Sequence, residues 1–148
     1  MLRVEHILDT ARTRLATVSR DSPVSDAAEI LVNANTPLIV VCDDAGVVVG
    51  VISRTDIVKV LACAKADALG ACADAIMTTS ILSCHAHQPL QELWDAMNAR
   101  SLRCAPVLDD DGRPQGVVHA RDLASALLEE VTHEELLLRD YVLGIGYQ

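Results

Sequence analysis

PVSDAAEILVNANTPLIVVCDDAGVVVGVISRTDIVK, residues 23–59, falls without a gap on PLQELWDAMNARSLRCAPVLDDDGRPQGVVHARDLAS, residues 89–125, when the chain is shifted by 66. Eight positions are identical: Pro23/Pro89, Val41/Val107, Asp43/Asp109, Asp44/Asp110, Gly46/Gly112, Gly50/Gly116, Val51/Val117 and Asp56/Asp122. Most of the others exchange like for like, as Val24 with Leu90, Asp26 with Glu92, and Ile57 with Leu123. Upstream, a three-residue gap brings Ile7 onto Ile76 and Val18 onto Cys84. Self-similarity at a fixed shift marks a repeated structural unit, and two copies fill nearly the whole chain.

Each copy reads as β-α-β-β-α. A short apolar strand (Leu15–Val18; Ile81–Cys84) leads to a helix opened by Pro23 or Pro89, with Ser22 a candidate cap. Ala27, Ile30 and Leu31 share one helical face, as do Leu93, Trp94 and Met97. A continuous apolar strand follows, LIVVC (38–42) or CAPVL (104–108), and then a DDAG or DDDG hairpin turn. The second strand of each pair runs into a helix predicted to begin near Asp56 or Asp122. Such a unit is too small to close a core alone, so the two copies must pack together. The fold class is α/β (α+β). The expected division is 1–66 for the first repeat, 67–130 for the second with its connecting helix, and 131–148 for a C-terminal acidic helix and tail.

At 148 residues the chain is long enough to bury roughly 70% of its unfolded surface without staples. Twelve basic residues against 21 acidic give a net charge of −9. That argues against duplex nucleic acid and against a polybasic membrane surface. With no Phe, one Trp and two Tyr, the chain also lacks the aromatic platforms used to stack single strands, and its core must be aliphatic. Mean hydropathy is +0.27, yet no apolar run is long enough to span a bilayer, and the N-terminus does not read as a signal peptide. A cytoplasmic protein is expected. Five cysteines without a C-x-x-C pair argue against a disulfide framework and a four-sulfur zinc site.

The apolar strand, the D-D-x-G turn, and G-V-I-S-R-T-D-I with its echo G-V-V-H-A-R-D-L resemble the CBS domain, over about residues 4–130. In that family, repeats occur as tandem pairs (Bateman modules), here a pseudo-two-fold CBS pair. The resemblance implies a regulatory module that binds an adenosine compound (AMP, ADP, ATP or S-adenosylmethionine) between the repeats and does not transform it. Gly50, Ser53 and Asp56 match the family motif, with Thr55 beside them; the carboxylate would hold ribose hydroxyls. The resemblance further assigns Thr78, Leu82, Leu102, Arg103 and Cys104 to the Asp56 cleft. To the Asp122 cleft it assigns Ala16, Thr36, Pro37 and Leu38, with Gly116 and Arg121 retained. His119 stands there in place of a hydroxyl, which puts that cleft in doubt. Read from the residues alone, Asp56 and Asp122 also suit helix N-caps, and Ser53 a local backbone bond.

Other readings compete. Cys84, His85 and His87 form a cluster that two imidazoles and a thiolate could use for metal, with His133 a distant fourth. The alternative to both is a ligand-free dimeric scaffold. No nucleophile-base pattern, G-x-S-x-G or P-loop supports an enzyme. Helix faces at Ile57/Val60/Leu61/Ala64 and Leu123/Ala126/Leu127 predict a homodimer. The cations near the two motifs are Arg54, Lys59, Arg103, Arg121 and His119. So few predict AMP or ADP, rather than ATP, as the ligand. No cofactor is expected, and the regulated protein is not named by the sequence.

Overall fold

Leu38–Cys42 is buried at every position, as a strand covered on both faces requires. The computed structural model describes residues 1–33, 36–62 and 70–146, with side chains as far as residue 140. Leu38–Cys42 (β2) is the centre of a three-stranded sheet, parallel to β1 (Thr17–Ser19) and antiparallel to β3 (Val48–Ser53). In the second repeat, β4 (Cys104–Leu108) and β5 (Pro114–His119) form the matching antiparallel pair. The predicted strand Ile81–Cys84 contracts to one parallel bridge, Cys84 with Val107. The residues before it are drawn elsewhere: Thr78 and Val51 exchange two backbone hydrogen bonds, 2.8 and 3.0 Å, on the edge of the other repeat's sheet.

The two acidic turns are the same structure built twice. Asp43 Oδ1 accepts from the N–H groups of Ala45 and Val47, and Asp109 Oδ1 from those of Asp111 and Arg113, all at 2.9–3.0 Å. Gly46 and Gly112 follow with φ of 81°, a conformation that glycine adopts without cost. They are turn chemistry, as the sequence indicates.

Among the described residues, five α-helices cover the sheets: α1 (Leu8–Thr13), α2 (Val24–Asn33), α3 (Arg54–Ala62), α4 (Leu90–Ala99) and α5 (Ala120–Gly146). Pro23 and Pro89 stand just before α2 and α4 rather than inside their first turns. α3 and α5 begin two residues earlier than predicted, at Arg54 and Ala120. The acidic stretch from 131 is a continuation of α5, with no break from the second repeat.

Packing does not follow the expected chain division. One core joins Val4, Leu8 and Ala11 to Leu90, Leu93, Met97, Val107 and Leu123, so the N-terminal segment packs in the second repeat. A second joins Ala73, with Ile76 and Met77 at its margin, to Ala27, Leu31, Ile39 and Ile52 of the first. Each repeat thus borrows the segment that precedes the other. Val40, Val51 and Val117 seal the seam between them. Leu123, expected on an outer helix face, is fully buried, because α5 lies with that residue against the borrowed α1 segment. Ile57, Ala126 and Leu127 are half-buried against the cores. On these two helices the exposed large apolar residues are instead Val58 and Leu61 on α3, and Leu128, Val131 and Leu136–Leu138 on α5. Of the alanine-rich stretch from Leu61 to Met77, residues 63–69, with Cys63 and Ala64, lie outside the described residues, as do the last two residues of the tail.

Candidate functional site

β3 delivers Ser53 to the start of α3, where it and Asp56 cap each other. The Ser53 N–H donates to Asp56 Oδ2 at 2.9 Å, and the Asp56 N–H to Ser53 Oγ at 3.2 Å. This is a capping box with Asp in the usual place of Glu. Ser53 is therefore the cap, and Asp56 sits three residues into the helix rather than at the cap itself. The arrangement leaves Asp56 Oδ1 with only a long contact, 3.5 Å, to the Thr78 hydroxyl. Asp56 borders a pocket of about 140 Å³ with Val51, Ile81, Leu82, Leu102 and Pro106 as apolar walls. A half-buried carboxylate beside an apolar slot suits a flat ring joined to a polyol.

The slot adjoins a larger cavity of about 740 Å³, and Leu38, Ser53, Leu102 and Cys104 line both. Arg54 and Thr55 enter it from the start of α3, and His119 and Arg121 from the start of α5. Arg103 comes from the segment before β4, and Arg14 from the end of α1. Among the described residues, no acidic side chain lines it. Two helix N-termini and four guanidiniums around one cavity make a site for an anion such as phosphate. Lys59, counted among the cations, lines neither cavity.

Leu102 and Arg103 are placed by the end of α4. Ser101 takes a left-handed φ of 54°, and the N–H groups of Ser101 and Leu102 return to the carbonyls of Asn98 and Met97. This is a Schellman closure with serine where glycine is usual.

The second motif is built differently. His119 caps α5, its Nδ1 accepting the Arg121 N–H at 3.0 Å. Burial lowers its pKa from the ordinary value, and Arg121, Arg14 and Arg103 lower it further, against the opposing pull of Asp122. The ring is therefore neutral near pH 7. Asp122 accepts two bonds from one guanidinium: Arg14 Nε to Oδ2 at 2.9 Å and a terminal Arg14 nitrogen to Oδ1 at 3.2 Å.

The assigned residues separate accordingly. Ser53, Asp56, Thr78, Leu82, Leu102 and Cys104 come together around the slot, and Arg103, Thr55, Pro37, Leu38, His119 and Arg121 around the cavity. Gly50, Ala16, Thr36 and Asp122 line neither. Gly50 is a close-approach position, where an added Cβ would lie 2.6 Å from Met77 Sδ. Ala16 accepts the Val40 N–H through its carbonyl. Thr36 is buried, its hydroxyl within donating distance of the carbonyls of Arg14 and Leu38. The lining residues that the sequence reading missed are Arg14 and Ser101 at the cavity, and Val51, Ser80, Ile81 and Pro106 at the slot. The metal cluster does not assemble: Cys84 is buried with its thiol pushed up to about 12, while His85 is exposed and held by the Leu108 carbonyl. Among the described residues, no three potential ligands come together.

Known proteins share this architecture. The family model described as "CBS domain" matches residues 4–63 and 73–129. A solved CBSX2 structure in complex with AMP is 26% identical, with a TM-score of 0.75 over 87% of this chain and 98% of that one. The CBS domain pair of protein MJ0100, solved with 5'-methylthioadenosine and S-adenosyl-L-methionine, is 25% identical, with a TM-score of 0.74 over 88% and 98%. An L-aspartate semialdehyde sulfurtransferase of Methanocaldococcus jannaschii is 30% identical over 68% of this chain, which spans only 19% of that relative's length. The folded pair of repeats, the shared cleft between them and these likenesses agree, and the chain belongs to the CBS domain family, of which it carries two copies.

Proposed function

We propose that the protein is a regulatory module that senses an adenosine nucleotide, binding the nucleoside in the Asp56 slot and its phosphate in the adjoining arginine-lined cavity. The observation that carries this reading is the juxtaposition itself. An apolar slot bordered by the Asp56 carboxylate leads into a cavity with four guanidiniums and, among the described residues, no acid. The AMP and S-adenosylmethionine complexes of similar CBS pairs support the same ligand class. The work is binding rather than catalysis. Among the described residues, Cys104 is the one thiol at the site, and burial above all pushes it up to about 11, far from a nucleophilic thiolate. On this reading the module works in the cytoplasm, as a homodimer, on a protein it regulates.

Charge favours AMP or ADP over ATP. Arg14 is committed to Asp122, and His119 is neutral, which leaves Arg54, Arg103 and Arg121 facing the ligand. A phosphomonoester carries about −1.5 to −2 near pH 7. A triphosphate exceeds what those three guanidiniums balance, and unpaired phosphate charge in a half-enclosed site is costly. Titration calorimetry with adenosine, AMP, ADP, ATP and S-adenosylmethionine at fixed ionic strength tests this. AMP or ADP should bind tightest, and at 100 times its Kd should raise apparent stability by about 2.7 kcal/mol. ATP binding tenfold tighter than AMP would overturn the charge argument. Silence from every adenosine compound would favour the ligand-free scaffold, a reading to which the internally paired Asp122 already lends weight.

A further inference from the structure

We infer that Arg14 takes the place of a ligand at the second motif, so that the module holds one adenosine nucleotide per chain, in the Asp56 slot. This rests on the nucleotide reading above and adds the residue that makes the two clefts unequal. The motifs carry equivalent carboxylates, 66 residues apart, but their surroundings differ. Asp56 spends one oxygen on its own capping box, keeps the other in only a long contact, and borders a pocket. Asp122 has both oxygens engaged by the Arg14 fork, half-buried at 18% exposure on each side. Neutral ribose hydroxyls form weaker bonds than a bidentate guanidinium, so they do not displace it.

Arg14 is held where it must be to do this. Gly116 lets the α1 backbone approach so closely that a Cβ there would meet the Ala11 carbonyl carbon at 2.7 Å. The buried Thr36 hydroxyl lies 2.8 Å from the Arg14 carbonyl and fixes the chain just after α1. Counting back 66 residues from Ser80, which lines the Asp56 slot, also arrives at Arg14. Where the first cleft presents a small hydroxyl, the second presents a cation long enough to reach the carboxylate. Arg14 is thus a specificity-determining residue that sets stoichiometry.

The test is calorimetric titration of AMP into the wild type, Arg14→Gln, Asp122→Asn and Asp56→Asn. The wild type should bind one AMP per chain, and Asp122→Asn should leave that number unchanged with an affinity no weaker, since it only releases Arg14 toward the cavity that residue lines. Asp56→Asn should weaken binding roughly 10- to 150-fold. Arg14→Gln frees Asp122 and should reveal a second, weaker site, a change in stoichiometry that a merely structural residue would not produce. Two AMP per wild-type chain, with Asp56→Asn and Asp122→Asn each removing one, would overturn the inference and leave the nucleotide reading standing. One AMP per chain in Arg14→Gln would overturn it as well. If Arg14→Gln does not fold, loss of AMP binding in Asp122→Asn overturns the inference and its retention supports it. A wild type silent toward AMP would overturn the inference together with the nucleotide reading, whatever Arg14→Gln does.

Discussion

Asp56 and Asp122 are the same residue in two copies of one motif, and their surroundings give them different work. Asp56→Ala should cost AMP affinity about 1.5–3 kcal/mol, the range for a hydrogen bond to a charged group, whereas Asp122→Ala should cost little. Equal losses, or none at Asp56, would count against the slot. Because Asp56 also completes a capping box, its variant must first be shown to fold. His119 supplies the pH dependence. Its folded-state pKa lies below the ordinary 6.5, so the unfolded chain takes up a proton there first. The stability its neutral ring contributes is present above about pH 6.5 and is lost as pH falls through the folded value. Protonation also adds a charge beside Arg54, Arg103 and Arg121, so an anion bound there should raise its proton affinity. AMP should therefore gain affinity on acidification in the wild type relative to His119→Gln. Protonation of the phosphate itself acts on both proteins alike, so the difference between the two pH profiles is the readout. Parallel profiles would place His119 outside the phosphate's reach.

Among the elements, the close approaches of α1 and of the Met77–Thr78 segment to the two sheets decide where the clefts lie. Gly116→Ala would drive a Cβ into the Ala11 backbone, at 2.7 Å from its carbonyl carbon and 2.9 Å from its oxygen. Gly50→Ala meets chiefly the Met77 thioether, at 2.6 Å, a flexible end that is able to move, with the Thr78 carbonyl at 3.0 Å. Overpacking costs typically about 1–3 kcal/mol. Gly116→Ala should stand at the upper end and Gly50→Ala at the lower, as read by denaturant unfolding at unchanged m. The reverse order would mean that α1 yields more readily than Met77. These glycines show what was legible in the sequence. Their recurrence at one shift, with the D-D-x-G turns and apolar strands, gave away the repeat and most of its elements, because those signals are local in the chain; the residues assigned to the Asp56 cleft came from the family resemblance instead. Which borrowed segment each glycine receives was not legible, since it is decided by packing between distant parts. Nor was the Arg14–Asp122 pair, whose partners are 108 residues apart. The histidine at 119 did mark the second cleft as different; the guanidinium that closes it carried no motif.

For the whole molecule, the buried Leu123 moves the expected association surface outward along the helices. Val58 and Leu61 on α3 are 61% and 57% exposed, and Leu128 and Val131 on α5 are 67% and 49% exposed. Leu128 and Val131 are three residues apart, hence neighbours on one helical face, and Leu138 lies close to the same side. Contiguous apolar surface of this kind usually marks an association site, and a two-fold pairing of identical helix faces is the commonest solution. Light scattering at micromolar concentration should give about twice the 15.9 kDa of one chain. Leu128→Glu with Val131→Glu should return the one-chain mass, since unpaired carboxylates are then forced into the interface. A one-chain mass for the wild type would refute the pairing. Both the slot and the arginine cavity are lined by residues of a single chain. The dissociated variant is therefore expected to keep its AMP affinity. If affinity falls together with mass, the partner subunit supplies part of the site, and ligand binding and assembly are linked through the start of α3.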